Sequence, residues 1–359
     1  MSKRIFCVIL SAMMLTAVTG CNKKENSSVV SEVIEATEPT TEAPTEPPVP
    51  DGKEINPLTG ESGYSTDAFG KRPVAVMVNN IKAALPQYGI TDADVIYEVP
   101  VEGGITRLMA VYADYNNVPN ICSVRSCRYY YPIIALGLDA IYCHWGADQT
   151  IAVETLNRTG IEHLDGAYEE GLFYRDEERA ATYDSEHTGY LCGAELAEHF
   201  ASHEFRTDIN EENKNGGLTF VSEGETYTPD GQDCTTATFH FSDNYFSTFE
   251  YNEAEGTYYK QHSGNPHMDG VTGKQLEFEN VFALRTSVTS RDGYLMDVQI
   301  VGEGDGYYIS KGKAHPISWK KDAENLPIKV YNADGSELKL NIGECYFGIM
   351  GMDTPVDIQ

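Results

Sequence analysis

The chain is short of cations: 26 Lys and Arg stand against 55 Asp and Glu, a formal charge of −29 at pH 7. So acidic a surface argues against non-specific binding to nucleic acid or to anionic lipid headgroups. Long apolar runs are lacking too, since the stretch Ile5 to Val18 is far too short to cross a bilayer. From Asn22 to about Lys53 there is no aromatic residue, and such a segment cannot bury enough surface to offset its chain entropy. Chemical signatures are also missing. No Cys-x-x-Cys pair, Cys/His zinc spacing, Gly-x-Ser-x-Gly, phosphate loop or paired-histidine zinc motif is read, so neither a metal nor a cofactor is expected.

What the N-terminus does have is Lys3 and Arg4, the apolar stretch, and then Val18-Thr-Gly-Cys21. This is the pattern of a secretory signal over residues 1–20 that ends in a lipobox. It predicts cleavage before Cys21 and acyl chains on that cysteine, each buried methylene contributing ~0.8 kcal/mol to membrane attachment. Residues 21–53 then read as a disordered stalk, with Pro, Thr and Glu alternating from Ala36 to Pro48. In polyproline geometry such a stalk reaches up to ~100 Å, and its glutamates repel an anionic leaflet. The expected partner is therefore the membrane, through Cys21, at its extracytoplasmic face. Beyond Cys7 and Cys21, six cysteines remain; an exported protein permits disulfides, but several lie in apolar runs that suit buried free thiols.

The rest reads as α+β in two domains: a mixed α/β domain over 54–212 and a smaller β-rich domain over 213–359. In the first, 72–79, 94–101 and 105–113 read as strands, the last two joined by a tight turn at Glu102-Gly103-Gly104. Helices are predicted over 128–138, 149–157 (stopped near Gly160) and 191–203, with a strand at 140–145. After the polar stretch Asn210–Gly217 the pattern alternates, with Asp-Gly turns at Asp292-Gly293, Asp305-Gly306 and Asp334-Gly335 marking antiparallel meanders. Gly302-Glu-Gly-Asp-Gly306 looks friendly to calcium but lacks EF-hand spacing and is read as a hairpin turn.

Between Lys82 and Lys214 there is no lysine, and every fixed cation is arginine: Arg107, Arg125, Arg128, Arg158, Arg175, Arg179 and Arg206. Arginine is favoured where a planar fork must hold a carboxylate or phosphate, or where a cation is partly buried. The plain alternative is pairing with the many carboxylates. Ser126, between Arg125 and Arg128, stands just ahead of a predicted helix and is read as its cap, which would make an anion site of the helix N-terminus. Arg175 and Arg179, four apart, share a face if that stretch is helical. His144, at a strand end, and His187 complete the candidate pocket, and both are candidate bases. Glu102 and Arg107 flank the Gly-Gly turn as a buried ion pair or an acid oriented by an arginine.

Several blocks together resemble the YerB-like family of bacterial lipoproteins, a family of unknown function. They are Asn56-Pro-Leu-Thr-Gly60, Arg72-Pro-Val-Ala-Val-Met77, Ala93-Asp-Val-Ile-Tyr-Glu98, Val101-Glu-Gly-Gly-Ile-Thr-Arg107 and Ser123-Val-Arg-Ser126 with Arg128. His144 with Gly146, Arg175 with Arg179, Pro266-His-Met-Asp269 and Val271-Thr-Gly-Lys-Gln-Leu276 continue the likeness. The resemblance implies two domains behind a lipid anchor and no established reaction. Departures occur at Cys127, where the family has a small residue, and after Arg179, where Ala181–His187 replaces a Pro-His-Asn stretch.

The sequence thus leads to a tethered binding or accessory protein whose Arg/His pocket takes a phosphate or carboxylate, on a cell-wall polymer or a small molecule. The competing readings are a hydrolase or phosphodiesterase with a histidine base, and a scaffold that docks a protein partner.

Overall fold

The computed structural model describes residues 54–359. The signal, the lipidation at Cys21 and the stalk expected from the sequence fall outside the described residues. Long buried runs supply the central strands: β1 (Val74–Asn79) and β2 (Val95–Val101) are buried at every position. Such runs suit strands covered on both faces. β2 turns into β3 (Ile105–Tyr112) through Glu102–Gly104, where Gly103 and Gly104 sit at φ of 77° and 70°, a region open to glycine at little cost.

The short strand β4 (Ile121–Cys122), helix α1 (Tyr130–Gly137), β5 (Ile141–His144) and helix α2 (Ile151–Thr159) follow. α2 ends on Gly160 in the left-handed conformation, as its position predicts. Then come β6 (His163–Asp165), β7 (Phe173–Arg175), β8 (Gly189–Leu191) and helix α3 (Leu196–Ser202). The predicted helix over 191–203 begins later than expected, because Leu191 completes a strand paired with β4 and β7.

The second half supplies β9 (Thr236–Ser242), β10 (Tyr245–Asn252), β11 (Thr257–His262), β12 (Asn280–Thr286), β13 (Gly302–Ser310), β14 (Lys313–Lys321), β15 (Cys345–Gly351) and β16 (Val356–Ile358). One sheet runs through both halves in the order β14-β13-β12-β15-β2-β3-β1-β5-β6, with short strands added beside β14. β15 lies parallel to β2, pairing Cys345 with Val95 and Gly348 with Glu98. The fold is α+β with strands dominant and few helices. A smaller sheet of β16-β9-β10-β11 packs over the large one, where Phe249 meets Tyr346 at 4.7 Å between ring centroids.

Alternate residues of β1 feed two cores: Ala75 and Met77 face that of α1 and α2, while Val74, Val76 and Val78 face that of α3 and the second sheet. One expected turn is corrected. Asp305-Gly306 does not reverse the chain but lies inside β13, and a Cβ on Gly306 would stand 2.1 Å from the Ala283 carbonyl oxygen. Gly304 and Gly306 thus serve close strand approach, while Gly302 has open space around it and a φ of 137°, and the stretch is neither a hairpin nor a cation loop. All six cysteines of the described residues are free thiols. No described helix is long and apolar enough to cross a membrane.

Candidate functional site

β1 and β5 run parallel, and the segment after β4 closes over their carboxyl ends. There the Arg125 amide donates to the Met77 carbonyl, and the Arg125 carbonyl accepts from the Trp145 amide. This is the end of a parallel pair where ligands commonly bind. Arg107, paired with Asn79 across β3 and β1, sends its Nη1 2.6 Å to the Ser126 carbonyl. Arg128 donates through Nε to Glu102 at 2.7 Å and through Nη1 to the Cys127 carbonyl. Arg125 reaches the Glu186 backbone and carboxylate, both at 3.1 Å. Arg175, the last residue of β7, lies over the Trp145 ring at 4.1 Å and donates to the Ser185 carbonyl.

Four guanidinium groups therefore share one neighbourhood, and they feel each other. Burial, then Arg128 and Arg125, push Arg107 down to about 10. Burial and Arg125 lower Arg175 as well. Arg128 is raised instead, because Glu102 more than offsets its burial. Arg107 and Arg175 have no ion-pair partner among the described residues, and the buried Nε of Arg125 has no hydrogen-bond acceptor there. In a chain of net charge −29, this is a local excess of cation.

The other sequence candidates are placed differently. Ser126 does not cap α1: that helix starts at Tyr130 with no side-chain cap, and Ser126 serves through its carbonyl. Arg175 and Arg179 do not share a helical face, because β7 ends at Arg175 and Arg179 opens a separate 3-10 turn. Arg179 is buried between the Tyr88 and Tyr183 rings, and its Nε donates to the His187 carbonyl at 2.9 Å. Glu102 pairs with Arg128 rather than with Arg107. Two arginines lie in ion pairs elsewhere, Arg158 with Glu324 and Arg206 with Asp139.

His144 is fully buried; its Nδ1 bonds the Gly146 carbonyl and its Nε2 the His163 ring. Burial, offset in part by Asp165, holds it down at about 4, so it is neutral near pH 7. His187 is buried too, with Nδ1 accepting from Asn79 Nδ2 at 3.0 Å. Burial lowers it, with Arg125 and Arg179 adding to the effect.

Sequence reasoning passed over a buried polar network between the two sheets. Glu98 on β2 and Lys260 on β11 pair at 3.2 Å with almost no exposure. Lys260 Nζ donates to His267 Nδ1 at 3.0 Å, which leaves His267 Nε2–H to donate to Gln87 at 2.9 Å. Gln87 in turn donates to the Asn79 carbonyl and to Asn80. Tyr346, Ser247, Thr106 and Asn80 complete the donors to the Glu98 carboxylate. His267 stands in the Pro266-His-Met-Asp block, but nothing in the sequence says what it faces.

A second omission is a pairing read as absent: His199 and His203 stand four apart at α3, both beside Glu169. A helix predicted to span both histidines held that signal.

Comparison with known proteins gives a consistent picture. Residues 58–206 match the family described as "Protein of unknown function (DUF3048) N-terminal domain", and residues 237–347 match its C-terminal domain. The chain is 27% identical over 301 residues to "Putative lipoprotein YerB" of Bacillus subtilis, covering 82% of this chain and 85% of that one. A crystal structure of the YerB protein from Bacillus subtilis superposes with a TM-score of 0.71 at 23% identity, over 85% of this chain and all of that one.

Proposed function

Because the chain belongs to the YerB-like family, with both of its domains, we propose that it is a lipid-anchored extracytoplasmic protein that binds an anionic group. Cys21 is the lipidated residue and the stretch to residue 53 is the tether. The binding site is the arginine cluster of Arg107, Arg125, Arg128 and Arg175, taking a phosphate or carboxylate carried by a cell-wall polymer or a small molecule.

A single observation carries the site. Arg107 is desolvated and lies beside two other guanidinium groups, and among the described residues its side chain donates only to a backbone carbonyl. Clustering like charges away from water is costly, and a bound oxyanion would offset that cost through charge-assisted hydrogen bonds. The supply of donors is suited to this: Arg175 is exposed and Arg125 is half-buried, and a guanidinium carries five N–H groups, more than each gives to its present acceptors. Binding is favoured over hydrolysis because both nitrogens of His144 are committed inside the fold, while His187 is buried and bonded to Asn79.

The test is calorimetric titration of the full chain with inorganic phosphate. Arg125→Lys keeps the charge but loses the planar fork. It should weaken binding at least ~10-fold, about 1.4 kcal/mol, while the protein stays folded. Equal heats for parent and variant, or none in either, would contradict the reading and favour a scaffold that docks a protein partner.

A further inference from the structure

Away from the arginine cluster, the end of α3 meets the turn after β6. His199 lies in the last turn of α3, and His203, four residues on, is its C-terminal cap; this spacing puts both rings on one face. Glu169 approaches from the turn that follows β6, with its backbone fixed by a hydrogen bond to the Asp165 carbonyl and another from the Phe173 amide. Its Oε2 lies 3.0 Å from His203 Nε2 and 3.4 Å from His199 Nδ1. All three donor atoms fall within 4.8 Å of one another.

We propose that Glu169, His199 and His203 form a binding site for a divalent late transition metal, zinc above all. A tetrahedral zinc ion bonds nitrogen and oxygen at about 2.0–2.2 Å, which sets neighbouring ligand atoms roughly 3.3 Å apart. Two of the three edges here, 3.0 and 3.4 Å, match that spacing without rearrangement. The donor set of two imidazoles and one carboxylate suits zinc, nickel or copper rather than calcium or magnesium, which take oxygen. No Lys or Arg pairs with Glu169 among the described residues, so its charge is not already spent on a fixed cation. The ring of His203 is held by stacking on Phe205 at 5.1 Å. The side chains of Glu169, His199 and His203 are 15%, 18% and 39% exposed. An ion can therefore enter from solvent, and a fourth position is left for water. Bound there, the metal clips the end of α3 to the turn after β6.

The plain alternative is a carboxylate flanked by two histidines that binds no metal. The full chain, untagged and stripped with a chelator, is titrated with Zn²⁺ beside Glu169→Gln and His203→Ala. Both variants alter side chains that reach solvent, and their circular dichroism serves as the control for folding. The expected result is one ion per parent chain, with affinity falling at least ~10-fold in each variant. Co²⁺ in place of zinc should give a tetrahedral visible band in the parent that both variants lose, and zinc should raise the parent's melting temperature by mass action. No stoichiometric binding by the parent would overturn the site. Parent-like affinity in either variant would overturn it equally.

Discussion

A single histidine shows how much placement matters. The sequence offers His144 at a strand end, where it reads as a base; the fold buries it and pushes it down to about 4. The sign follows from linkage. An unfolded histidine takes its proton near pH 6.5, while the folded one resists until about 4, so the unfolded chain binds the proton first as pH falls. Stability from this residue is complete above pH 6.5 and is lost progressively down to about 4, by roughly 3 kcal/mol in all. His163, His187, His262 and His267 are lowered as well and act in the same direction. Urea denaturation at intervals from pH 7.5 to 4.5 should show a falling midpoint, with a shallower slope for His144→Asn. A flat profile would mean that the histidines titrate freely in the folded state.

Among elements, legibility tracked how local the deciding interaction was. The strands of the first half, the Gly103-Gly104 turn and the stop of α2 at Gly160 were readable because hydrophobic pattern and glycine conformation are properties of a few adjacent residues. The parallel seat of β15 beside β2 was not, since it joins residues 250 positions apart. The Ser126 cap failed for a similar reason: α1 begins later than its apolar pattern suggests, and Arg107 from a distant strand claims the Ser126 carbonyl. Residue type alone does not separate Arg107, Arg125, Arg128 and Arg175 from Arg158 and Arg206, which lie in ion pairs. What does single out Arg125, Arg128 and Arg175 in the sequence is a helix cap and a helical spacing that the fold does not have. The Lys260–Glu98 pair is not legible because the sequence does not say which cation meets the lone carboxylate in the apolar run of β2. It joins β11 of the small sheet to β2 of the large one, so removing one partner strands a buried charge. Lys260→Met should therefore destabilise by about 3–5 kcal/mol, read by urea unfolding. A loss under ~1 kcal/mol would show that the network tolerates an unpaired carboxylate.

At the scale of the whole molecule, the account joins a tether to a body. The lipoprotein name of the Bacillus subtilis relative and the Val18-Thr-Gly-Cys21 pattern point the same way. Cys21→Ala should release the chain to the soluble fraction or leave an unprocessed precursor, as seen by fractionation and mass spectrometry. Normal processing with full membrane retention would remove the anchor from the account. A large negative charge favours solubility and disfavours an anionic leaflet, and against it the arginine cluster stands as a contrast within the fold. Its long-range attraction for a free anion is weakened by that surrounding charge, so affinity must come from short, directed hydrogen bonds in a partly desolvated site.

The central claim is that these arginines hold an oxyanion, and locating one tests it most directly. Crystals of the protein soaked in tungstate, a phosphate-shaped dianion with strong anomalous scattering, would report its position without reference to any assay. The account predicts an anomalous peak within hydrogen-bonding distance of the Arg125 and Arg175 guanidinium groups, displaced by competing phosphate. Anomalous peaks confined to other surfaces, or a cluster left empty at saturating tungstate, would contradict it.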